Sequence, residues 1–322
     1  MPIGQQADFQ IYHEQFFGGV TEVLRQNSVA FNEASNGCIQ LVPRLLKGEF
    51  EQESFFQSIS SMVTRRDVAS VAAGTSTFLA QGEKVSVKLN RRFQVENTLN
   101  SFRKIGESPE LMSLLVGRQL GTAITLDYLN SLITGGAAAI PVDAAHEITG
   151  GASVTLTGQL LVQGLALFGD ASQEIVCWLM HSKPWHDLLE DQITQNILDL
   201  TGRLLVTGAS PGTIGRPVVR TDSSALVISG VPDRYITIGL TRGAFMALQS
   251  EESDVIAETV TGLEQLVGRI QGEHAFNVGI KGHSYSLGAG ANPDAATLGN
   301  AANWSEVATD IKDTAGVRIT TE

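Results

Sequence analysis

The segment of this 322-residue chain that most resembles a chemical site is Val206-Thr207-Gly208-Ala209-Ser210-Pro211-Gly212-Thr213-Ile214-Gly215. A glycine-rich turn between a strand and a helix can cradle a phosphate on backbone N–H groups, as in the nucleotide turn of short-chain dehydrogenases. The spacing argues against that chemistry. Those enzymes space their glycines G-x-x-x-G-x-G before a helix, whereas here they run G-x-x-x-G-x-x-G and Pro217 follows in a strand-like context. None of Tyr12, Tyr128, Tyr235 or Tyr285 is followed four residues later by the lysine that reaction needs. A cytoplasmic nucleotide-dependent oxidoreductase built on the Gly208 turn is therefore a rival reading only, and a β-turn accounts for the same residues.

Metal and acid–base chemistry fare no better. His181 and His186 are five residues apart and fall on different faces of any helix, so with Cys177 nearby they still do not converge on one ion. His274 and His283 have opposite strand parity and face opposite sides. Glu190 with Asp191, and Glu251, Glu252 and Asp254, read as solvated faces or loop charges. Cys38 and Cys177 are remote in sequence and lack CxxC spacing, which points to neither a disulfide framework nor a thiolate site. No GxxxxGK[ST], HExxH or G-x-S-x-G motif occurs. No catalytic, cofactor-binding or metal-binding residue is assigned, and no cofactor is expected.

Composition sets broader limits. With 22 basic and 34 acidic residues the net charge is -12, which disfavours a chain drawn as a whole to polyphosphate or to an anionic bilayer. No apolar run approaches the roughly 20 residues needed to span a membrane, and the N-terminus lacks the pattern of a secretory signal. The charge is unevenly spread. Residues 60–104 hold eight basic residues (Arg65, Arg66, Lys84, Lys88, Arg91, Arg92, Arg103, Lys104) against Asp67, Glu83 and Glu96.

The elements that carry these residues can be read from periodicity. Lys84 to Asn90 alternates polar and apolar with period two, predicting a half-buried strand, and Val68 to Gly82 is the expected returning strand of a two-stranded ribbon. A lone ribbon is marginal in water and needs a partner surface. Ser108-Pro109 reads as N-cap and first turn of a helix that Gly135-Gly136 would close, with Leu111, Leu114, Leu115, Leu126, Leu129 and Ile133 as its apolar stripe. Helices are expected near 159–168 and from Pro184, and strands at 175–180, 217–220, 225–229, 235–240 and 276–280. A short helix capped by Asn303 is expected from Trp304 to Ile311. Residues 1–45 carry scattered aromatics, Phe16 and Phe17 among them, too few for a core of their own. They form either an ordinary helix on their own domain or an arm laid over a neighbour.

Taken in order, residues 64–68 (TRRDV), 81–92 (QGEKVSVKLNRR), 102–106 (FRKIG), 175–188 (IVCWLMHSKPWHDL), 215–219 (GRPVV) and 303–317 (NWSEVATDIKDTAGV) resemble the major capsid proteins of tailed bacteriophages, in particular the gp13-like coat proteins. The resemblance implies an α+β, Hong-Kong-97-like fold. It would have an N-terminal arm (1–45), an extended loop (60–100), a peripheral domain (105–155 and 255–322) with a spine helix (109–134), and an axial domain (156–254). It also implies a subunit that assembles with itself into hexamers and pentamers of an icosahedral head around double-stranded DNA, without gripping that DNA and without membrane contact. Portal, scaffold and cement proteins are the implied partners, and the implied location is the virion, after assembly in the host bacterial cytoplasm. An encapsulin-type nanocompartment shell shares that fold and is a second reading. The candidate intersubunit contacts are Arg65, Arg66, Lys84, Lys88, Arg91 and Arg92 on the basic ribbon, with Phe16 and Phe17 on the arm. Some capsids of this fold join lysine to asparagine, and Lys84 or Lys88 lies in the corresponding loop.

Overall fold

The computed structural model describes residues 20–24, 26, 32–33, 35–43, 48–57, 63, 65, 78–98, 109–151, 153–194, 215–260, 264 and 267–322. Its longest helix, α1 (Pro109–Ala139), has 31 residues and so reaches about 46 Å. It continues through Gly135-Gly136, the pair expected to close it. Glycine weakens a helix without stopping it, and these two serve close packing instead. A Cβ on Gly136 would fall inside the Phe245 ring, and one on Gly135 would press within 3.2 Å of Ile280 and Trp304. Termination comes from Pro141, which has no N–H to donate to the Ala137 carbonyl; Arg318 Nη1 donates to that carbonyl instead, at 2.7 Å. The chain then passes through two 3-10 turns, Ile140–Val142 and Ala144–His146.

The buried stripe of α1 also differs from the expected one. Ile124, Tyr128, Leu129, Leu132 and Ile133 are in the core, whereas Leu115 and Leu126 are 45% and 51% exposed. Toward the middle of the helix, Gly121 admits the helical residues 20–23, because a Cβ there would lie 3.0 Å from Val23. Arg118 Nη2 reinforces this crossing at 3.3 Å from Glu22 Oε2. These residues of the N-terminal segment thus pack on their own chain.

Beneath α1 lies a five-stranded sheet built from β1 (Ile39–Pro43), β2 (Phe50–Phe56), β3 (Gln81–Thr98), β9 (Phe245–Val260) and β10 (Val267–Ile280), in the order β1-β9-β10-β3-β2. All neighbours are antiparallel except β1 on β9. The strand forms where the alternation places it, but it is not half-buried: Ser86 and Lys88 are buried along with Val85, Val87 and Leu89, because both faces of this stretch are covered within the chain. The ribbon does not form. β2 pairs with Gln81–Val87 and β10 pairs with Val87–Thr98, so β3 is hydrogen-bonded along its whole length within its own chain. Most of the expected returning strand falls outside the described residues, and its last residues, Gln81 and Gly82, already belong to β3.

A second sheet contains β4 (Glu147–Thr149), β5 (Ile175–Met180), β6 (Val218–Arg220), β8 (Arg234–Thr241) and β13 (Gly316–Thr321). Its order is β4-β13-β8-β5-β6, and a short strand β7 (Val227–Ile228) also pairs with β8. Residues from the far C-terminus and from just after α1 therefore share one sheet with residues 175–241. Helix α2 (Gly158–Ala166), capped by Thr157, packs here on β13, where Gly164 leaves room for Ile319. Helix α3 (Ser182–Thr194) follows β5. Trp178, Ile175, Met180, Leu156 and Phe168 centre this second core.

The helix expected from Trp304 to Ile311 is instead a strand, β12 (Trp304–Glu306), paired with β11 (His283–Tyr285). The Trp304 indole N–H donates to the Leu298 carbonyl at 2.9 Å and its ring meets Tyr285 edge-on at 5.3 Å. Burying that ring fixes an extended backbone that a weak helical pattern over so short a stretch does not overcome. The short helix α4 (Ala295–Leu298) forms just upstream, capped by Asp294.

Candidate functional site

The candidate contacts can be followed along β3. Glu53 on β2 stands opposite Lys84 in the strand register. Partial burial lowers the Lys84 pKa from its ordinary value, an effect that Glu53 and Glu51 oppose. Lys88 is only 7% exposed, and its backbone N–H donates to the Glu49 carbonyl at 3.0 Å. Arg91 turns toward the long helix, with Nε 3.0 Å from Asp127 Oδ2 and its guanidinium 6.0 Å from the Phe276 ring centroid. Arg92 is exposed and lies opposite Glu273. Arg65 is exposed as well, while Arg66, Phe16 and Phe17 lie outside the described residues. The structure thus engages Arg91 inside the chain and buries Lys88, and it leaves Arg65 and Arg92 facing outward.

Past Phe93 the ladder of β9, β10 and β3 carries charge and apolar groups to the surface. Arg269 on β10 bridges Glu96 on β3 at 2.9 Å and approaches Glu258 on β9 at 3.8 Å, the three being partners across the sheet. Between such pairs Val95 and Ile256 are 45% and 68% exposed. At the opposite end of β3, where β2 stops, Phe56, Phe78 and Leu79 are also exposed while Phe55 covers Gly82. Sequence reading does not single out these apolar residues. A signal exists, since aromatic and aliphatic residues flank both strands (Phe55-Phe56 and Phe78-Leu79), but nothing in the sequence says that they remain uncovered.

The groups considered for chemistry do not assemble into a catalytic arrangement among the described residues. His181 Nε2 lies 3.7 Å from Asp222 Oδ1, and His186 Nδ1 is 2.7 Å from the Ser182 carbonyl oxygen, so the two histidines serve separate partners. His274 is buried among Phe93, Tyr128 and Phe276, and that burial lowers its pKa. His283 is likewise pushed down, to about 4, chiefly by burial. Cys38 and Cys177 prove to be neighbours: Cys38 Sγ is 3.7 Å from the carbonyl oxygen of Leu240, the strand partner of Cys177. Contact with Cys177 and burial hold the Cys38 thiol protonated. Arg216 ties the segments before β5 and β6 together, donating to the carbonyls of Ser172, at 2.8 Å, and Ile175. The Gly208 turn lies outside the described residues, apart from Gly215 in a left-handed turn. Among the described residues no helix is long and apolar enough to cross a membrane.

A family model described as "Gp13-like: Major capsid protein 13-like" matches residues 8–318. Three solved phage structures are similar over nearly the whole chain. The cyanophage Pam1 capsid subunit is 13% identical with a TM-score of 0.55, covering 88% of this chain and 87% of the other. The capsid of Helicobacter pylori bacteriophage KHP30 is 8% identical with a TM-score of 0.53, covering 89% of each. The capsid of Ralstonia phage GP4 is 11% identical with a TM-score of 0.53, covering 89% and 87%. Comparison with curated protein sequences returns no match.

Proposed function

The chain belongs to the Gp13-like major capsid protein family and is a shell protein of a phage head, and from that premise we propose that it assembles with itself into hexamers and pentamers of an icosahedral head enclosing double-stranded DNA. In this reading residues 1–45, with Phe16 and Phe17, act as the arm, and residues 60–100 act as the extended loop. Residues 105–155, which contain α1, and 255–322 serve as the peripheral domain, and residues 156–254 serve as the axial one. Portal, scaffold and cement proteins complete the particle, which is assembled in the host cytoplasm.

The observation that carries the contact is the end of the β2–β3 ladder. There the Gln57 N–H donates to the Ala80 carbonyl at 2.9 Å, pairing the residue after Phe56 (65% exposed) with the residue after Leu79 (59%), and Phe78 (86%) is exposed beside it in sequence. Arg65, from the same basic stretch, faces outward as well. Apolar groups gathered at a strand end among charged residues mark a protein-binding surface. A neighbouring subunit of this acidic chain supplies both the apolar cover and the opposite charge, and that complementarity sets the register of docking. The net charge of -12 suits a container whose wall does not hold packaged duplex in place.

Replacing Arg65→Glu together with Arg66→Glu tests the contact. Particle yield by negative-stain electron microscopy should fall at least tenfold while the circular dichroism spectrum of the subunit stays unchanged. Normal shells from that variant would remove the contact, and a wild-type chain found only as a stable monomer or dimer would remove the assembly reading as well.

A further inference from the structure

Three groups with metal-binding side chains converge where the chain leaves α1. Asp143, between the two 3-10 turns, His146, at the end of the second, and Glu306, closing β12, place their ligand atoms within 4.8 Å of one another. Each is held by its own element. The Asp143 Oδ1 caps the second turn by accepting the Ala145 N–H at 2.9 Å, and a carboxylate has a second oxygen for another partner. Glu306 is positioned by the pairing of β12 with β11, in which its opposite number is His283.

His146 supplies the observation that asks for a cation. The ring is 1% exposed, and its Nδ1 lies 3.5 Å from the Thr314 hydroxyl. That hydroxyl donates its only proton to the Ile311 carbonyl at 2.6 Å, so toward His146 it can only accept. In the neutral ring Nδ1 therefore carries the proton and Nε2 the lone pair. Nε2 faces Glu306 Oε1 at 3.5 Å, so two electron-rich atoms confront each other with a third, on Asp143, beside them. A positive centre belongs between them, either a proton on Nε2 or a metal ion, and the Asp143 carboxylate is one more ligand than a proton needs. The arrangement also matches the way metal-ligating histidines are oriented, with the non-ligating nitrogen donating to a fixed acceptor. His283 flanks the cluster: it is fully buried, its ring centroid is 6.2 Å from that of His146, and its Nε2 has no partner.

We propose that Asp143, His146 and Glu306 bind a first-row divalent transition-metal ion that clasps the exit of the long helix to strand β12. One imidazole nitrogen with two carboxylates suits Zn2+, Co2+ or Mn2+, whereas Mg2+ and Ca2+ favour all-oxygen sets. Metal–ligand bonds of about 2.0–2.2 Å bring tetrahedral donors to roughly 3.3–3.6 Å from each other, so the widest spacing in the cluster closes by about an ångström on loading. The exposed Asp143 side chain provides that movement and the entry path, while the Glu306 side chain is largely buried. The β2 end of the ladder borders the site, since the Gln57 side-chain amide donates to the Val307 carbonyl at 3.5 Å, but all three ligands come from one chain and do not depend on how shells assemble.

The purified full-length chain, stripped with EDTA and titrated with Co2+, should show visible d–d absorption. A hundredfold excess of free Zn2+ over its Kd should raise the thermal midpoint by about 4 °C, reversibly on adding EDTA, while Mg2+ leaves it in place. Asp143→Asn and Glu306→Gln should each weaken Co2+ binding at least tenfold. The Asp143→Asn change should leave the fold intact, because the amide keeps the oxygen that caps the second turn. Three results would each overturn the site: no Co2+ spectrum together with no Zn2+ shift, undiminished binding in both variants, or stabilisation by Mg2+ equal to that by Zn2+.

Discussion

The two sheets of this molecule handle their surfaces in opposite ways. In the second sheet, β5 and β8 sit between β13 and β6, and every residue of β8 from Ile236 to Thr241 is buried. Gly239 is pressed between Trp178 and Val317, so close that any side chain there would displace one of them. This sheet is finished within one chain. The first sheet is finished only under α1, where Val87, Leu89, Phe276 and Val278 join the helix in one core. Beyond that bed its ladder stays paired yet leaves Phe56, Phe78, Leu79, Val95 and Ile256 open. Hydrogen bonding closes a strand's edges but covers neither of its faces. The first sheet is therefore stable in its backbone and incomplete in its side chains, a combination that suits a shell subunit.

That contrast can be broken most forcefully in the second sheet. Trp178 is wholly buried, and Trp178→Ala should cost the subunit about 3–5 kcal/mol, read as a lower denaturant midpoint. A loss below about 1 kcal/mol would mean the sheet is not the self-sufficient unit described.

A smaller effect is expected on acidification, and it acts where β11 meets the first sheet through the Ser284 hydroxyl, which accepts the Val85 N–H at 2.9 Å. His283 is buried neutral with its pKa pushed down to about 4, against about 6.5 in the unfolded chain. Burial is the main cause, and His146 and Lys84, which face it, push the same way against the Lys281 carbonyl. Below pH 6.5 the unfolded chain takes up this proton and the folded one does not. Stability is therefore full above pH 6.5 and falls as pH drops toward 4, by roughly 3 kcal/mol if the group acts alone. His274, buried beside Arg91 and Asp127, shifts in the same direction and deepens the loss. Guanidinium unfolding of the EDTA-treated subunit at pH 7 and pH 4.5 measures it. Equal midpoints would show that these histidines titrate freely.

The smallest expected change in stability sharpens the contrast from the other side. Phe56→Ser with Phe78→Ser should leave the subunit's unfolding free energy within about 0.5 kcal/mol, because both rings are exposed. Shell yield by electron microscopy should nevertheless collapse. A large loss of subunit stability would place these rings in a core of their own chain.

Much of the fold is legible in the sequence. The Ile175–Met180 strand falls where its continuous apolar run places it, and the alternation from Lys84 to Asn90 locates β3 but not its burial, since Ser86 and Lys88 are covered as well as Val87 and Leu89. Pro109 opens the long helix as expected. Expectation and structure part where one residue type has two uses. Gly135-Gly136 resembles a helix stop and is a place where Phe245 and Trp304 approach the helix, a role written in residues more than a hundred positions away. Trp304 to Ile311 carries a weak helical pattern, and one indole bond to Leu298 with one strand partner outweighs it. His146 belongs to no ligand motif, because its neighbours Thr314, Glu306 and His283 arrive only by folding.

By itself the sequence determined most of the segments that are strands and helices, the long helix as the central strut, the acidic balance and the basic stretch around β3, because these follow from local periodicity and composition. Only the tertiary structure decided that β3 is paired along its whole length, that Arg91 answers Asp127 and Lys88 is buried, and that the apolar groups left over stand at the ends of the ladder. Pairing, charge neutralisation and cover are each properties of two surfaces, and the second surface of every pair comes from a distant part of the chain.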